Sequence, residues 1–315
     1  MNQRHVLVLM GGTSSEREIS LASGDAVCNA LREAGFAVET LDPAHESIDK
    51  IRTLRPEAVF IALHGKGGED GTIQRALDTI GVPYTGPGAR ASEICMDKVK
   101  TKEILCAAGL CTSPYLVFPA DAKDNPDPYF DNAVRTLGFP LVMKAACQGS
   151  SIGTVILRDA EGGSKALSDL FDYGDTVFAE KFCSGTELSV PILGTKNPVA
   201  LPIIEILSDG EFYDYASKYT PGKSRHIIPA RLDEATAKAV SDLAIQAYLA
   251  TGCAGHARVD MMLTGEGDPC VLEINTSPGM TRTSLFPDAA AKAGINFAAL
   301  VTKIIECARE KPGLN

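Results

Sequence analysis

Three oxygen-bearing side chains, Asp260, Glu273 and Asn275, fall on two short segments, 257–263 and 270–275. Joined by Thr264-Gly265-Glu266-Gly267-Asp268, these segments read as the strands of a hairpin. Side chains alternate across a strand, so Arg258, Asp260 and Met262 share one face and Val259, Met261 and Leu263 the other. On the second strand Glu273 and Asn275 share a face, opposite Leu272 and Ile274. If the polar faces coincide, two carboxylates and an amide converge on one spot. With phosphate oxygens and water, that donor set suits Mg²⁺, a hard cation. The alternative is a solvated strand face closed by a salt bridge to Arg258.

A second cluster follows the strand 141–144. Lys144 ends it, and Gly149-Ser150-Ser151-Ile152-Gly153 comes next. Small residues let backbone amides approach an anion, hydroxyls add donors, and Lys144 supplies a point charge. The lysine precedes the glycines, so this is not a G-x-x-x-x-G-K-[ST] loop, and a flexible connection is the plain alternative. Gly11-Gly12 also follows a strand, but no G-x-G-x-x-G is present. The stretch from His64 to Gly71 is crowded with glycine at another strand end, where loops often carry function. A lone His64 equally fits a structural role. Tyr213, Tyr215, Lys218 and Tyr219 precede a polar stretch, 220–225, that reads as an exposed loop with aromatic anchors.

The elements that must position these groups are alternating strands and helices. The run 5–10 is continuously apolar, as in a buried parallel strand. Ser15 and Glu18 fit a capping box opening a helix that runs to Ala34 and ends at Gly35. Strands are expected at 36–42 and 57–63, with helical segments near 47–54 and 70–80. This βαβ pattern predicts an open parallel sheet with functional loops at the strands' carboxyl ends. A second unit starts near Asp97, with a helix from Lys98 to Ala108, a Pro- and Asp-rich surface loop at 119–128, and strands at 141–144, 154–157, 176–181 and 187–193. A third holds a helix in which Val240, Leu243, Ala244, Ala247 and Tyr248 follow helical spacing, then the hairpin, then helices near 285–293 and 297–309. The domain boundaries implied are 1–97, 98–186 and 187–315.

With 315 residues the chain can bury a core without staples. Its 40 acidic against 30 basic residues give a net charge of −10, which argues against nonspecific nucleic-acid binding. No run approaches the roughly 18 apolar residues of a membrane helix, and the first residues lack a signal-peptide pattern. Nine cysteines form no C-x-x-C pair. They read as reduced, buried thiols of a cytoplasmic protein.

In order and spacing, GGTSSEREISLASG (11–24), LHGKGGEDGTIQ (63–74), MDKVKTK (96–102), GSSIG (149–153), EKFCSGTELSV (180–190), YDYASKY (213–219), ARVDMML (257–263) and LEINTSPGMTRTSLFP (272–287) resemble the D-alanine–D-alanine ligases of the ATP-grasp superfamily. The resemblance runs from about residue 5 to 308. It implies an α/β, ATP-grasp fold of three α/β domains, the first with a Rossmann-like parallel sheet and the other two clasping nucleotide between them. It implies ATP-dependent joining of two D-alanine molecules through an acylphosphate, for peptidoglycan precursors, in the cytoplasm. Neither nucleic acid nor membrane is implied as a partner, and a homodimer is.

The same resemblance assigns roles. Lys98 and Lys144 would hold ATP phosphates, covered by the loop with Ser150 and Ser151. Glu180, Lys181 and the backbone of Cys183 would frame adenine, Glu187 would take the ribose hydroxyls, and Lys218 would reach the γ-phosphate. Asp260, Glu273 and Asn275 would bind two Mg²⁺ ions, with Mn²⁺ an alternative. Glu16 and His64 would surround the first D-alanine. Arg258 and the Gly279 amide would stabilise an oxyanion, while Ser284 and the Leu285 backbone would bind the second carboxylate. Ser150, Tyr219 and Glu16 would form a hydrogen-bonded set closing the site, and the tyrosine implies an amine rather than a hydroxyl acceptor. The chain departs from the family pattern at Gln148 and Ala216, where carboxylates are usual, and at Arg225-His226. These departures motivate the alternative of a ligase with a different D-amino-acid or D-hydroxy-acid acceptor. A nucleotide-binding regulator without catalysis and a nicotinamide oxidoreductase are the readings from other classes.

Overall fold

A computed structural model describes residues 4–149, 152–208, 224–281 and 283–311. The chain opens with β1 (His5–Leu9), α1 (Arg17–Glu33), β2 (Ala37–Leu41), α2 (Lys50–Leu54), β3 (Ala58–Ile61), α3 (Thr72–Ile80) and α4 (Ala89–Met96). The three strands form a parallel sheet in the order β2-β1-β3. Because β1 is central and covered on both sides, every residue from Val6 to Leu9 is fully buried. Val6 and Val8 belong to one core with Val27 and Leu31 of α1, whereas Leu7 and Leu9 belong to another with Ile51, Ile73 and Leu77. This explains the uninterrupted apolar run.

The middle of the chain supplies α5 (Lys98–Ala107), β4 (Tyr115–Phe118), a 3₁₀ turn (Ala120–Lys123), α6 (Pro126–Leu137), β5 (Leu141–Ala145), β6 (Thr154–Leu157), α7 (Gly163–Leu170) and β7 (Val177–Lys181). Its four strands are antiparallel, in the order β4-β7-β5-β6. Leu141, Met143, Val177 and Ala179 face a core shared with Phe130, Ala133, Leu167 and Leu170 of the helices. The opposite face carries Val142, Lys144, Phe178 and Glu180, paired across β5 and β7.

The last part holds β8 (Gly185–Leu193), β9 (Val199–Ala200), β10 (Ile204–Ser208), β11 (Ser224–Ile227), α8 (Glu234–Ala250), β12 (His256–Thr264), β13 (Pro269–Asn275), α9 (Leu285–Lys292) and α10 (Phe297–Arg309). An antiparallel sheet runs β11-β10-β8-β12-β13, with β9 beside β8. Its core face, including Val190, Val259, Met261, Val271 and Ile274, packs with Val240, Ala244, Ala247 and Tyr248 of α8. The terminal helix α10 returns to the first sheet, where Val301, Ile304 and Ile305 complete the core around Val6 and Val8.

Three local expectations need correction. The Ser15–Glu18 capping box does not form: α1 starts at Arg17 with no side-chain cap. Ser14 is used instead, accepting the Glu16 N–H at 3.2 Å and donating to the His64 carbonyl at 2.7 Å. The stretch 119–128 is not wholly loop, since Pro126 begins α6, where its fixed φ suits the first helical turn. The cysteines are not uniformly buried, because Cys106, Cys111 and Cys147 are exposed. Among the described residues no helix is long and apolar enough to cross a membrane.

Ile304 is fully buried where α10 meets the first sheet. Ile304→Ala is expected to cost about 2–5 kcal/mol of stability, read as a lowered urea midpoint.

Candidate active site

The corner at the carboxyl ends of β1 and β3 is built around a rigid turn. Gly11 has φ +86°, and a Cβ there would lie within 2.4 Å of Asp42. Asp42 accepts the Gly12 and Ala44 N–H groups, each at 2.9 Å, and pairs with Arg17 at 2.6 Å. The Arg17 guanidinium, with these amides, overcomes burial and holds the Asp42 carboxyl down at about 2. The turn delivers Glu16 between two loops. A Cβ at Gly65 would stand 2.7 Å from Glu16 Oε2, and one at Gly149 would stand 4.0 Å away.

His64 is buried in a network that ties this corner to the loop after β13. Its Nδ1 lies 2.9 Å from the Ser277 carbonyl, which can only accept, so Nδ1 carries the proton. Nε2 lies 3.1 Å from Ser23 Oγ, which itself accepts the Met280 N–H. Ser277 Oγ donates to the Leu63 carbonyl at 2.9 Å. Beyond this bracket, Gly279 lies against Ser284, whose Oγ would be 2.9 Å from a Cβ at that glycine. Ser284 also accepts the Thr281 N–H at 3.0 Å and precedes α9, whose first residue, Leu285, is buried. Backbone amides at a helix start favour an anion.

The two antiparallel sheets bring their polar faces together. Asp260 pairs directly with Glu273, and Arg258 with Asn275, so the polar faces of the hairpin do coincide. On the other side Asp260 pairs with Ser189 and Met262 with Glu187, which puts Glu187 on that face too. The salt bridge to Arg258 also forms: Nε and Nη2 donate to the two Asp260 oxygens at 2.8 and 2.7 Å. Ser189 Oγ adds a third bond at 2.6 Å. Asn275 Oδ1 accepts the Ser277 N–H at 3.1 Å.

From the facing sheet, Lys144 meets Glu180 at 2.5 Å, and the buried Lys102 meets the other carboxylate oxygen at 2.7 Å. Burial pushes the Lys144 ammonium down, but Glu180, helped by Glu273 and Glu187, leaves it raised overall. Burial pushes Glu180 up, and Lys144 and Lys102 outweigh it, so the carboxyl sits below its ordinary range. Lys98 spans the gap, 3.1 Å from Glu273 and donating to the Gln148 carbonyl at 2.7 Å. The cleft is therefore a set of fixed cations and carboxylates drawn from both sheets, able to receive a polyanion and a hard cation together.

The structure brings together Glu16, His64, Lys98, Lys144, Glu180, Glu187, Arg258, Asp260, Glu273, Asn275, Gly279, Ser284 and Leu285 in this corner and cleft. The Lys181 side chain is exposed, on the strand face opposite Glu180, and its backbone N–H is taken by the Pro114 carbonyl, just before the 182–184 link from β7 to β8. Cys183 lies in that link between the sheets. Ser150, Ser151, Lys218 and Tyr219 lie outside the described residues, as does Ala216. Gln148 donates to the Tyr173 carbonyl. His226 lies 4.0 Å from Asp288, and burial lowers its imidazole. Sequence reasoning missed Lys102, whose i, i+4 spacing from Lys98 on α5 was the available signal. It also missed Asp42, Ser189, Ser23 and Ser277, which carried none.

Glu180→Gln leaves Lys102 and Lys144 buried without their counter-charge, and a loss of about 3–5 kcal/mol is expected by chemical denaturation. The depressed Asp42 carboxyl stabilises the fold fully above its ordinary value of 3.8 and ceases to as pH falls toward 2. Asp42→Asn is expected to flatten that acid limb of the stability–pH curve.

Family comparison agrees with this geometry. The D-ala D-ala ligase N-terminus model matches residues 39–87, and the D-ala D-ala ligase C-terminus model matches residues 104–306. The D-alanine–D-alanine ligase of Pelotomaculum thermopropionicum is 46% identical over 309 residues, covering 98% of this chain and 97% of that one. The crystal structure of D-alanine–D-alanine ligase from Bacillus anthracis superposes with a TM-score of 0.84 at 35% identity, covering 97% of each chain. The structure of that enzyme complexed with ATP gives 0.83 at 33% identity, with the same coverage. With the two family models and a full-length relative at this identity, the chain belongs to the D-alanine–D-alanine ligase family.

Proposed function

We infer that this chain joins two D-alanine molecules into D-alanyl-D-alanine at the expense of ATP, as an ATP-dependent carboxylate–amine ligase. The observation that carries the reading is the convergence of Lys98 and Lys144 with Glu187, Asp260 and Glu273 across the cleft between two antiparallel sheets. One carboxylate oxygen of the first D-alanine attacks the γ-phosphorus of ATP, and ADP leaves. The deprotonated amine of the second D-alanine then attacks the carbonyl carbon of the acylphosphate. The tetrahedral intermediate expels phosphate and leaves the amide.

The family resemblance suggests the individual roles, and the geometry of the described residues is compatible with them. Glu16, held between the Gly65 and Gly149 loops, pairs with the ammonium of the first D-alanine, and His64 fixes the wall beside it. Lys98 and Lys144 take the phosphates, and the family resemblance adds Ser150, Ser151 and Lys218, which lie outside the described residues. Glu187 takes the ribose, and Glu180, Lys181 and Cys183 border the base. Arg258 gives two of its five N–H donors to Asp260 and, with the Gly279 amide, directs others at the oxyanion. Preorganised donors of this kind contribute about 3–4 kcal/mol to the transition state. Ser284 and the Leu285 amide receive the second carboxylate. Tyr219 and Ser150 exclude water with Glu16, which matters because water would hydrolyse the acylphosphate.

Asp260, Glu273 and Asn275 fit two Mg²⁺ ions, since all three present hard oxygens on one face, and Asp260 Oδ2, which accepts only Arg258 Nη2 where Oδ1 accepts two donors, keeps lone-pair capacity. Mg²⁺ bound there supplies charge neutralisation for phosphoryl transfer. Arg258 and Ser189 orient the Asp260 carboxylate for that task. The cytoplasm is the compartment, and a homodimer the assembly, that the family resemblance supports.

ATP-dependent phosphate release with Mg²⁺ and D-alanine, with mass detection of product, is expected to give D-alanyl-D-alanine. L-alanine alone should give nothing, and D-alanine with D-lactate should give dipeptide rather than depsipeptide. Phosphate release with another acceptor and none with D-alanine would favour the alternative ligase. Glu273→Gln and Asp260→Asn should each lower turnover by roughly two orders of magnitude at ordinary Mg²⁺. Near-normal rates would remove the metal assignment.

A further inference from the structure

Gly279, whose amide serves the oxyanion in the ligation reading, lies in a segment that two distant side chains hold from behind. Within 276–280, Thr276, Ser277, Pro278 and Met280 are buried and Gly279 is half-buried, so the segment opens outward at the glycine. The peptide bonds on either side of its amide are both pinned. The Ser277 carbonyl lies 2.9 Å from His64 Nδ1, which Glu69 also approaches at 3.5 Å. The Met280 N–H donates to Ser23 Oγ at 3.2 Å. Ser23 Oγ and His64 Nε2 are 3.1 Å apart, so the two pins form one connected set running from carbonyl through imidazole and hydroxyl to amide. Between them the ring of Pro278 locks its own φ. Gly279 has no side chain to fix its torsions, and none can be added, because a Cβ there would stand 2.9 Å from Ser284 Oγ. The direction of the Gly279 N–H is therefore set by its anchored neighbours.

Helix α1 can deliver the Ser23 hydroxyl because it runs hard against β1. Gly24 makes that approach possible, since a Cβ there would stand 2.6 Å from Met10 Cβ. Ser20, one turn earlier, ties the same helix to the strand ends, donating to the Ala62 carbonyl and accepting the Gly11 N–H, each at 2.8 Å. Ser23 is fully buried, a cost that its bonds to His64 and Met280 offset.

We propose that Ser23 is a positioning residue for ligation, which with His64 holds the Gly279 amide in the direction that the oxyanion of the tetrahedral intermediate requires. Ser23 touches no substrate and moves no proton. Without its hydroxyl the Met280 N–H and His64 Nε2 are left buried and unbonded, and the peptide after Gly279 is free to turn. A donor that must be re-aimed during the reaction stabilises the developing charge less than one already in place. Substrate binding loses less, because that charge is absent before the attack, so the loss falls on turnover.

The effect on turnover rests on the ligation reading, while the hydrogen bonds do not, and two readouts keep them apart. Amide hydrogen exchange at Met280, followed by NMR, is expected to quicken by about tenfold in Ser23→Ala. In steady-state kinetics with ATP and D-alanine, Ser23→Ala is expected to lower kcat by about tenfold and to leave the KM for ATP unchanged. Inhibition by a phosphinate analogue of the tetrahedral intermediate should weaken by a similar factor, with ATP affinity by calorimetry unaltered. Ser23→Thr, which keeps the hydroxyl, should recover most of the turnover. Ser92→Ala removes a serine hydroxyl equally buried but without a hydrogen-bond partner, and should leave kcat unchanged. If Ser23→Ala does not fold, Ser23→Cys keeps the shape with a weaker bonding group and should show the same pattern to a smaller degree. Unchanged exchange at Met280, or a kcat within about twofold of the unsubstituted protein, would overturn the proposal. Parallel losses of kcat and ATP affinity would overturn it too, since general loosening of the fold does that. Absence of dipeptide with the unsubstituted protein would count against the ligation reading instead, and the exchange result would still report the clamp.

Discussion

The ion set Lys102–Glu180–Lys144 is the constraint around which the cleft is organised. Both lysines are drawn out of water, and a desolvated ammonium sheds its proton unless a carboxylate stands beside it. Glu180 meets one with each oxygen, at 2.7 and 2.5 Å, and is itself 3% exposed. The arrangement keeps Lys144 charged in a place where bulk solvent cannot, which is what a site for phosphate oxygens requires. Such a buried set is costly to break and contributes little net stability when intact. Its value lies in holding a charge at one position.

The same logic runs across to the other sheet. Glu273 and Glu187 act on Lys144 from a distance, and Lys98 closes the gap to Glu273. The carboxylates of Asp260 and Glu273 therefore face the charges that the lysines present from the opposite wall. Around this, hydrogen-bonded brackets do the positioning. His64, Ser23, Ser277 and Met280 join the first sheet to the loop after β13, and α10 joins it to the end of the chain. The corner that presents Glu16 is thus fixed relative to the strand that presents Asn275.

Much of this was legible in the residues. The apolar run at β1, the helix containing Val240 and Tyr248, and the hairpin were readable because each repeats a period set by backbone geometry. The sharing of a face by Arg258 and Asp260, and by Glu273 and Asn275, follows from the same alternation. Other elements were not readable. The strands β4, β10 and β11 are short, without clean alternation, and gain their order from neighbours. Pro126 and its acidic neighbours resemble a loop, yet the same proline suits a first helical turn. Lys102 resembles any lysine on a helix surface until Glu180 arrives from another strand.

By itself the sequence determined which residues could share a face and which stretches must be buried, because alternation and apolarity are properties of adjacent residues. It also carried, in eight ordered motifs, enough chemistry to indicate the family. Only the tertiary structure decided register and partnership. The extra residue at Leu272 turns Cys270 toward the cleft and Val271 into the core, and no local pattern announces it. The burial of Lys102 and the hydrogen bonding of His64 depend on groups far apart in the chain. Desolvation and hydrogen bonding act through space, so their effects exist only once packing has chosen which distant atoms touch.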